Sequence, residues 1–220
     1  MKRILIALLL CSAVWAQVAR DANSNYQTKE GRESVAKGLA RANRDVTQRP
    51  QELIEAMGVK PGMTVADIGT GVGYMLPFMS RAVGPNGHVL AEDIFDDFLD
   101  KAKQTVAREK LGNVEFVKGA ETDPNLPENS VDIALALDSY HHYNYPEKML
   151  AGLRKGLKPG GHLVIVDYYK RPTAMPNGNA MSHIRIDAPD VIKEVEASGL
   201  KFVSQREHIK DSQYMAVFEK

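Results

Sequence analysis

At 220 residues, with 44% hydrophobic and 25% charged residues, the chain has the composition of one globular α/β domain with a sizeable core and not of a disordered segment. Its 28 basic and 28 acidic residues cancel, which leaves no surplus charge for a polyanion and argues against a nucleic-acid partner.

The opening MKRILIALLLCSAVWAQ carries basic Lys2 and Arg3, an apolar run from Ile4, and Val14 and Ala16 at the small-residue positions before Gln17. This is the pattern of a secretory signal peptide over residues 1–16, and the run is shorter than the roughly 20 residues a spanning helix needs. The expectation is a periplasmic or secreted chain with no stable membrane insertion after cleavage, or a cytoplasmic one if the signal is not used. Cleavage after Ala16 would take the formal charge from 0 to −2 and remove Cys11, the single cysteine. What remains could form no disulfide, thiolate zinc site or cysteine nucleophile. Residues 17–44 are polar, with a weak helical pattern through Val35 and Leu39, and read as a loose arm with one short helix ahead of a main domain at 45–220. Pro50 then opens a helix whose apolar face is Leu53, Ile54 and Met57, with Gly58 at its end.

Met63 to Ile68 is an apolar strand that carries Asp67 and breaks into Gly69, Gly71 and Gly73 before a helix reaching Val83. Glycines at such a turn allow backbone angles that side chains forbid and let a ligand approach the main chain. The spacing in VADIGTGVGY is G-x-G-x-G behind an acid, whereas the dinucleotide fingerprint is G-x-G-x-x-G. This stretch resembles the first motif of the class I S-adenosylmethionine-dependent methyltransferases. The resemblance covers about Asp45 to Lys220 and implies a Rossmann-like α/β fold: a seven-stranded, mostly parallel sheet with helices on both faces and a C-terminal antiparallel hairpin. It implies S-adenosyl-L-methionine as cofactor, with Asp67, Gly69, Thr70, Gly71 and Gly73 in its site and Gln48, Arg49 and Pro50 helping to cover it.

His88 to Ala91 is a second strand, closed by Glu92 and Asp93. An acid about 20 residues beyond the glycines of a doubly wound fold faces a ribose. The family pattern A-x-D-I assigns that role to Asp93. Phe95 to Lys110 is an amphipathic helix, and Val114 to Val117 a third strand. The loop GAETDPNLPENS follows. In the family this loop meets the adenine, which favours Ala120 for a backbone contact and Glu121 for a carboxylate contact, while Asp123 also suits a turn.

Val131 to Leu137 is a near-continuous apolar strand, the mark of the buried centre of a parallel sheet. DSYHHYNYP stands at its end, where open α/β sheets bind ligands. Asp138 is therefore a cofactor-site candidate, and Tyr140 and His141 are catalytic candidates, since a histidine near the reaction can accept a proton. A histidine pair that only packs and orients the loop remains the alternative. Two histidines with Asp138 also suggest a metal, but adjacent side chains rarely face one ion, so none is expected.

Pro146 to Leu157 is a helix, and the turn KPGG feeds a strand from His162 to Asp167. Tyr168 to Ile186 is too long for a plain connection and is a candidate lid carrying His183 and Arg185. A helix from Asp187 to Gly199 and two terminal strands complete the chain. The expected function is methyl transfer to a small-molecule oxygen, nitrogen or carbon nucleophile held between Tyr140, His141, His183 and Arg185. Two alternatives compete. A NAD(P)-dependent Rossmann oxidoreductase is disfavoured by the glycine spacing and by the lack of a Tyr-x-x-x-Lys relay. A non-catalytic exported cofactor-binding protein is kept open by the signal peptide, because S-adenosylmethionine is made in the cytoplasm.

Overall fold

The computed structural model describes residues 19–220, so the expected signal peptide lies outside the described residues. One sheet contains β1 (Thr64–Ile68), β2 (His88–Asp93), β3 (Val114–Lys118), β4 (Val131–Leu137), β5 (Leu157–Tyr168), β6 (Lys201–Ile209) and β7 (Gln213–Glu219). Their order is β3-β2-β1-β4-β5-β7-β6. The first five strands run parallel, and β7 pairs antiparallel with both β5 and β6. This is the expected mostly parallel sheet with a terminal hairpin.

The apolar run of β4 serves both faces at once because alternate side chains of a strand point to opposite sides. Ile133, Leu135 and Leu137 pack with Val65, Val89 and the helices α3 (Pro50–Met57) and α4 (Leu76–Val83). Ala134 and Ala136 face the other way, toward Leu150 and Leu153 of α6 (Pro146–Gly156) and Val191 and Val195 of α8 (Ala188–Ala197). Helix α5 (Asp96–Glu109) covers the first face through Ala102. Among the described residues, no helix is long and apolar enough to cross a membrane.

Three segments differ from the sequence expectation. The KPGG turn lies within β5 and bulges from it: Val131 pairs with Leu157 and Ile133 with His162, so β5 advances five residues while β4 advances two. The segment read as a loose arm folds into a 3-10 turn at Ser24–Tyr26, helix α1 (Lys29–Leu39) and helix α2 (Arg44–Gln48). The candidate lid is pinned down, not free. It forms α7 (Ala180–His183), buries Ala174, Ala180 and Ile184, and is tied by Ser212 Oγ donating to the Ala174 carbonyl at 2.6 Å.

The strand order reverses between β1 and β4, where crossovers leave toward opposite faces. A crevice opens at the carboxyl ends of these strands, as it does at such switch points generally.

Candidate cofactor cleft and an adjoining histidine cluster

The crevice is a cleft of about 980 Å³ counted to its solvent mouth, walled by the turn after β1, the ends of β2 and β4, the loop after β3, and the N-terminal arm. Gly69, Thr70, Gly71, Asp93, Ala120, Glu121 and Asp138 all line it. Most of the sequence candidates are therefore brought to one surface.

Gly71 and Gly73 are required for different reasons. Gly71 has φ +57° and lines the cleft, and a Cβ there would stand 3.1 Å from Leu39 Cδ1 of the arm. Gly73 has φ +78° and is buried, and a Cβ would press on Leu76 at 2.9 Å and on the Ala102 backbone at 3.1 Å. It serves helix packing and does not wall the cleft, which narrows the expectation that placed it among the cofactor contacts.

Two carboxylates brace the turn. Asp93 accepts from the Gly71 amide at 2.9 Å with Oδ2 and from the Phe95 amide at 2.9 Å with Oδ1. Glu92 accepts from the Gly69 amide at 3.1 Å, and its buried Oε1 has no hydrogen-bond partner among the described residues. Asp67 sits behind the turn and accepts from the Thr70 hydroxyl at 2.7 Å, so it supports the wall and does not form it. Burial pushes the Asp67 and Asp93 carboxyls up to about 6, because ionisation in a low-dielectric site is costly.

Ala120 is corrected. Its amide donates to the Asp123 carbonyl at 2.8 Å within a tight turn, so it has no N–H left for an adenine ring nitrogen. Glu121 stays exposed at the cleft lip.

Asp138 lies in the left-handed backbone region at φ +52° and receives Gln48 Nε2 on one oxygen and Gln213 Nε2 on the other, at 2.6 Å. It thereby ties the arm to the sheet. Burial, then the neighbouring Asp167, lifts its carboxyl to about 7. Arg49 points into solvent with Glu52 at 3.6 Å, so only Gln48 of the Gln48–Arg49–Pro50 run reaches the site. The arm contributes residues that sequence reasoning missed: Asn23, Tyr26, Leu39 and Arg44. Arg44 is the sole arginine or lysine on the cleft wall among the described residues, and its guanidinium lies 4.0 Å over the Tyr74 ring.

After Asp138, a 3-10 turn at Tyr140–His142 directs three adjacent side chains differently. Tyr140 points into the core and donates to Glu194 Oε1 at 2.5 Å. Arg185 forms a bidentate ion pair with the same Glu194 and is 3% exposed. Neither reaches the cleft, which removes Tyr140 as a catalytic group and Arg185 as a substrate anchor. His141 stands behind the wall with Nδ1 2.7 Å from Asp167 Oδ1. His142 is the histidine on the cleft wall, with Nδ1 2.6 Å from Asn23 Oδ1. His183 of α7 completes a cluster with ring centroids 5.0 Å from His141 and 5.3 Å from His142.

Known proteins resemble this chain in sequence and in fold. Residues 66–165 match the family model described as a methyltransferase domain. The ubiquinone/menaquinone biosynthesis C-methyltransferase UbiE of Ectopseudomonas mendocina is 31% identical over 118 residues, covering 53% of this chain and 46% of that protein. The protein of the same name from Shewanella pealeana is 33% identical over 123 residues, covering 53% and 47%. The chain thus spans about half the length of these curated relatives. A crystal structure of a SAM-dependent methyltransferase from Aquifex aeolicus superposes with a TM-score of 0.77 at 29% identity, covering 84% of this chain and 97% of that one.

Proposed function

We propose that this chain, a class I S-adenosylmethionine-dependent methyltransferase, methylates a small molecule at a carbon or oxygen atom that must first lose a proton. The preference for carbon rests on the relatives named C-methyltransferases, and the need for proton removal on the His142 imidazole standing at the cleft wall.

The residues present fit the cofactor. Asp93 is fixed by two backbone amides and keeps lone pairs toward the cleft for the ribose hydroxyls. The unpartnered Glu92 Oε1 supplies a further buried acceptor. Leu137, Phe98 and Met149 offer apolar surface for a base, and Arg44 offers a cation for the methionine carboxylate. The acid-rich wall of Glu92, Asp93 and Asp138 suits a positively charged sulfonium. Bound S-adenosylmethionine supplies an electrophilic methyl group. The chain's own work is then to orient both reactants, to exclude water beneath the arm, and to stabilise the deprotonated acceptor.

The observation that carries this proposal is the bracing of the Gly69–Gly71 turn by Asp93 on the wall of one deep cleft. Calorimetric titration of S-adenosylmethionine and S-adenosylhomocysteine tests it. Asp93→Ala should weaken both by about 1.5–3 kcal/mol, the worth of hydrogen bonds to a charged group. A folded variant with unchanged affinity would remove Asp93 from the site.

A further inference from the structure

We propose that His141, His142 and His183 form a binding site for a divalent transition-metal ion of the zinc class, with an open position toward the cleft. Each of the three offers one ring nitrogen, and these atoms all lie within 4.8 Å of one another. A tetrahedral ion with metal–nitrogen bonds of about 2.0–2.1 Å needs nitrogens about 3.3 Å apart, so binding would draw the most separated pair inward.

The outer partners are those a metal site uses. His141 Nδ1 is 2.7 Å from Asp167 Oδ1, a carboxylate that also accepts from the His141 amide at 3.0 Å and so fixes both ring and backbone. His142 Nδ1 is 2.6 Å from Asn23 Oδ1, and the Asn23 side-chain amide donates to the His142 carbonyl at 2.9 Å. An oxygen acceptor on Nδ1 places the ring proton there and leaves Nε2 with a bare lone pair. This outer-shell arrangement orients histidine ligands and raises their basicity. In its present position His142 Nε2 is 3.4 Å from the Tyr26 hydroxyl, which sets that hydroxyl beside the same point.

Packing alone does not call for this arrangement. Two rings with centroids 4.1 Å apart and a third 5.0 Å and 5.3 Å away gather three imidazoles at one point, one buried and two half-buried. Imidazole ligates a metal ion in its neutral form, and the oxygen partners on Nδ1 of His141 and His142 hold the ring proton away from Nε2. Three neutral nitrogens with the fourth position left to solvent or substrate is the composition of a reactive site, whereas structural zinc sites close all four. The cluster adjoins the cleft through His142. An ion there would bind an oxygen of the methyl acceptor and favour its deprotonated form. That use of the open position rests on the methyl-transfer proposal; the site itself does not.

Full-length protein free of any histidine tag, stripped with chelator and dialysed, should be titrated with Zn²⁺ by calorimetry and with Co²⁺ by visible absorption. One equivalent per chain is expected, with the Co²⁺ spectrum of a tetrahedral nitrogen-rich site. His183→Gln, on the short helix at the rim, should weaken binding at least about 100-fold, and Asp167→Asn about 10–100-fold. S-adenosylhomocysteine titration of the same variants reports whether they are folded. Wild-type protein that binds S-adenosylhomocysteine but takes up no stoichiometric metal would overturn the site, as would a folded His183→Gln variant of unchanged metal affinity. Stoichiometric metal binding without any S-adenosylhomocysteine binding would leave the site standing and refute the cofactor cleft instead.

Discussion

Tyr140 and His141 are neighbours in sequence with opposite fates. The 3-10 turn sends the Tyr140 ring into the core, where its hydroxyl meets Glu194, and burial with that neighbouring charge raises its pKa well above the usual phenol value. A phenol so held neither donates to nor accepts from a ligand in the cleft. Tyr140→Phe should therefore leave turnover unchanged while lowering stability by about 1.5–3 kcal/mol, the loss of one hydrogen bond to a charged group. Thermal melts alongside steady-state kinetics check it, and a selective loss of kcat at unchanged stability would return Tyr140 to the chemistry. Asp93 shows the opposite case. Its place at a strand end behind a glycine turn is a local pattern, so it was legible in the sequence. Arg44 was not, since nothing near it in the chain announces that it will roof a cleft.

The elements divide along the same line. The strands and helices of the sheet announce themselves by periodicity, as with β4, whose apolar run serves both faces. The arm is polar outside and buries few residues, so its pattern is weak. Its position comes from contacts across the chain, such as Asn23 with His142, 119 residues apart. The histidine cluster was missed for a related reason: adjacent side chains of an extended chain diverge, but a 3-10 turn brings the His141 and His142 rings to 4.1 Å. The third member arrives on α7. Because Tyr26, Leu39 and Arg44 form one wall of the cleft while the sheet carries its own core, removing residues before Asp45 should abolish cofactor binding yet preserve the fold. Calorimetry with far-UV circular dichroism distinguishes this from collapse. Retained cofactor affinity in the truncated chain would show that the arm is no part of the site.

The molecule as a whole concentrates buried carboxylates at one end of the sheet. Burial raises Asp67 and Asp93 to about 6 and Asp138 to about 7, against about 3.9 in an unfolded chain. Between those values the folded state binds more protons than the unfolded one, so this contribution to stability is lost as pH rises through about 6–7. Four histidines act oppositely: desolvation holds His141, His142, His183 and His208 below their usual value, so acidification toward and below about pH 6.5 favours the unfolded, protonated form. Above about pH 6.5 the histidines no longer contribute while Asp138 and Asp167, both lifted to about 7, still lose protons, so unliganded, metal-free protein should lose stability from about pH 6.5 to about pH 8. Melting temperatures across that range check it, and Asp138→Asn, which cannot ionise, should flatten the alkaline side. A stability still climbing at about pH 8 would contradict the buried acid cluster.

The crystal structure of the complex with S-adenosylhomocysteine addresses the central claim most directly. The ligand is expected between the Gly69–Gly71 turn and the arm, with its ribose hydroxyls on Asp93 and its carboxylate toward Arg44. Density for the ligand elsewhere, or Asp93 left facing water in a fully occupied complex, would contradict it.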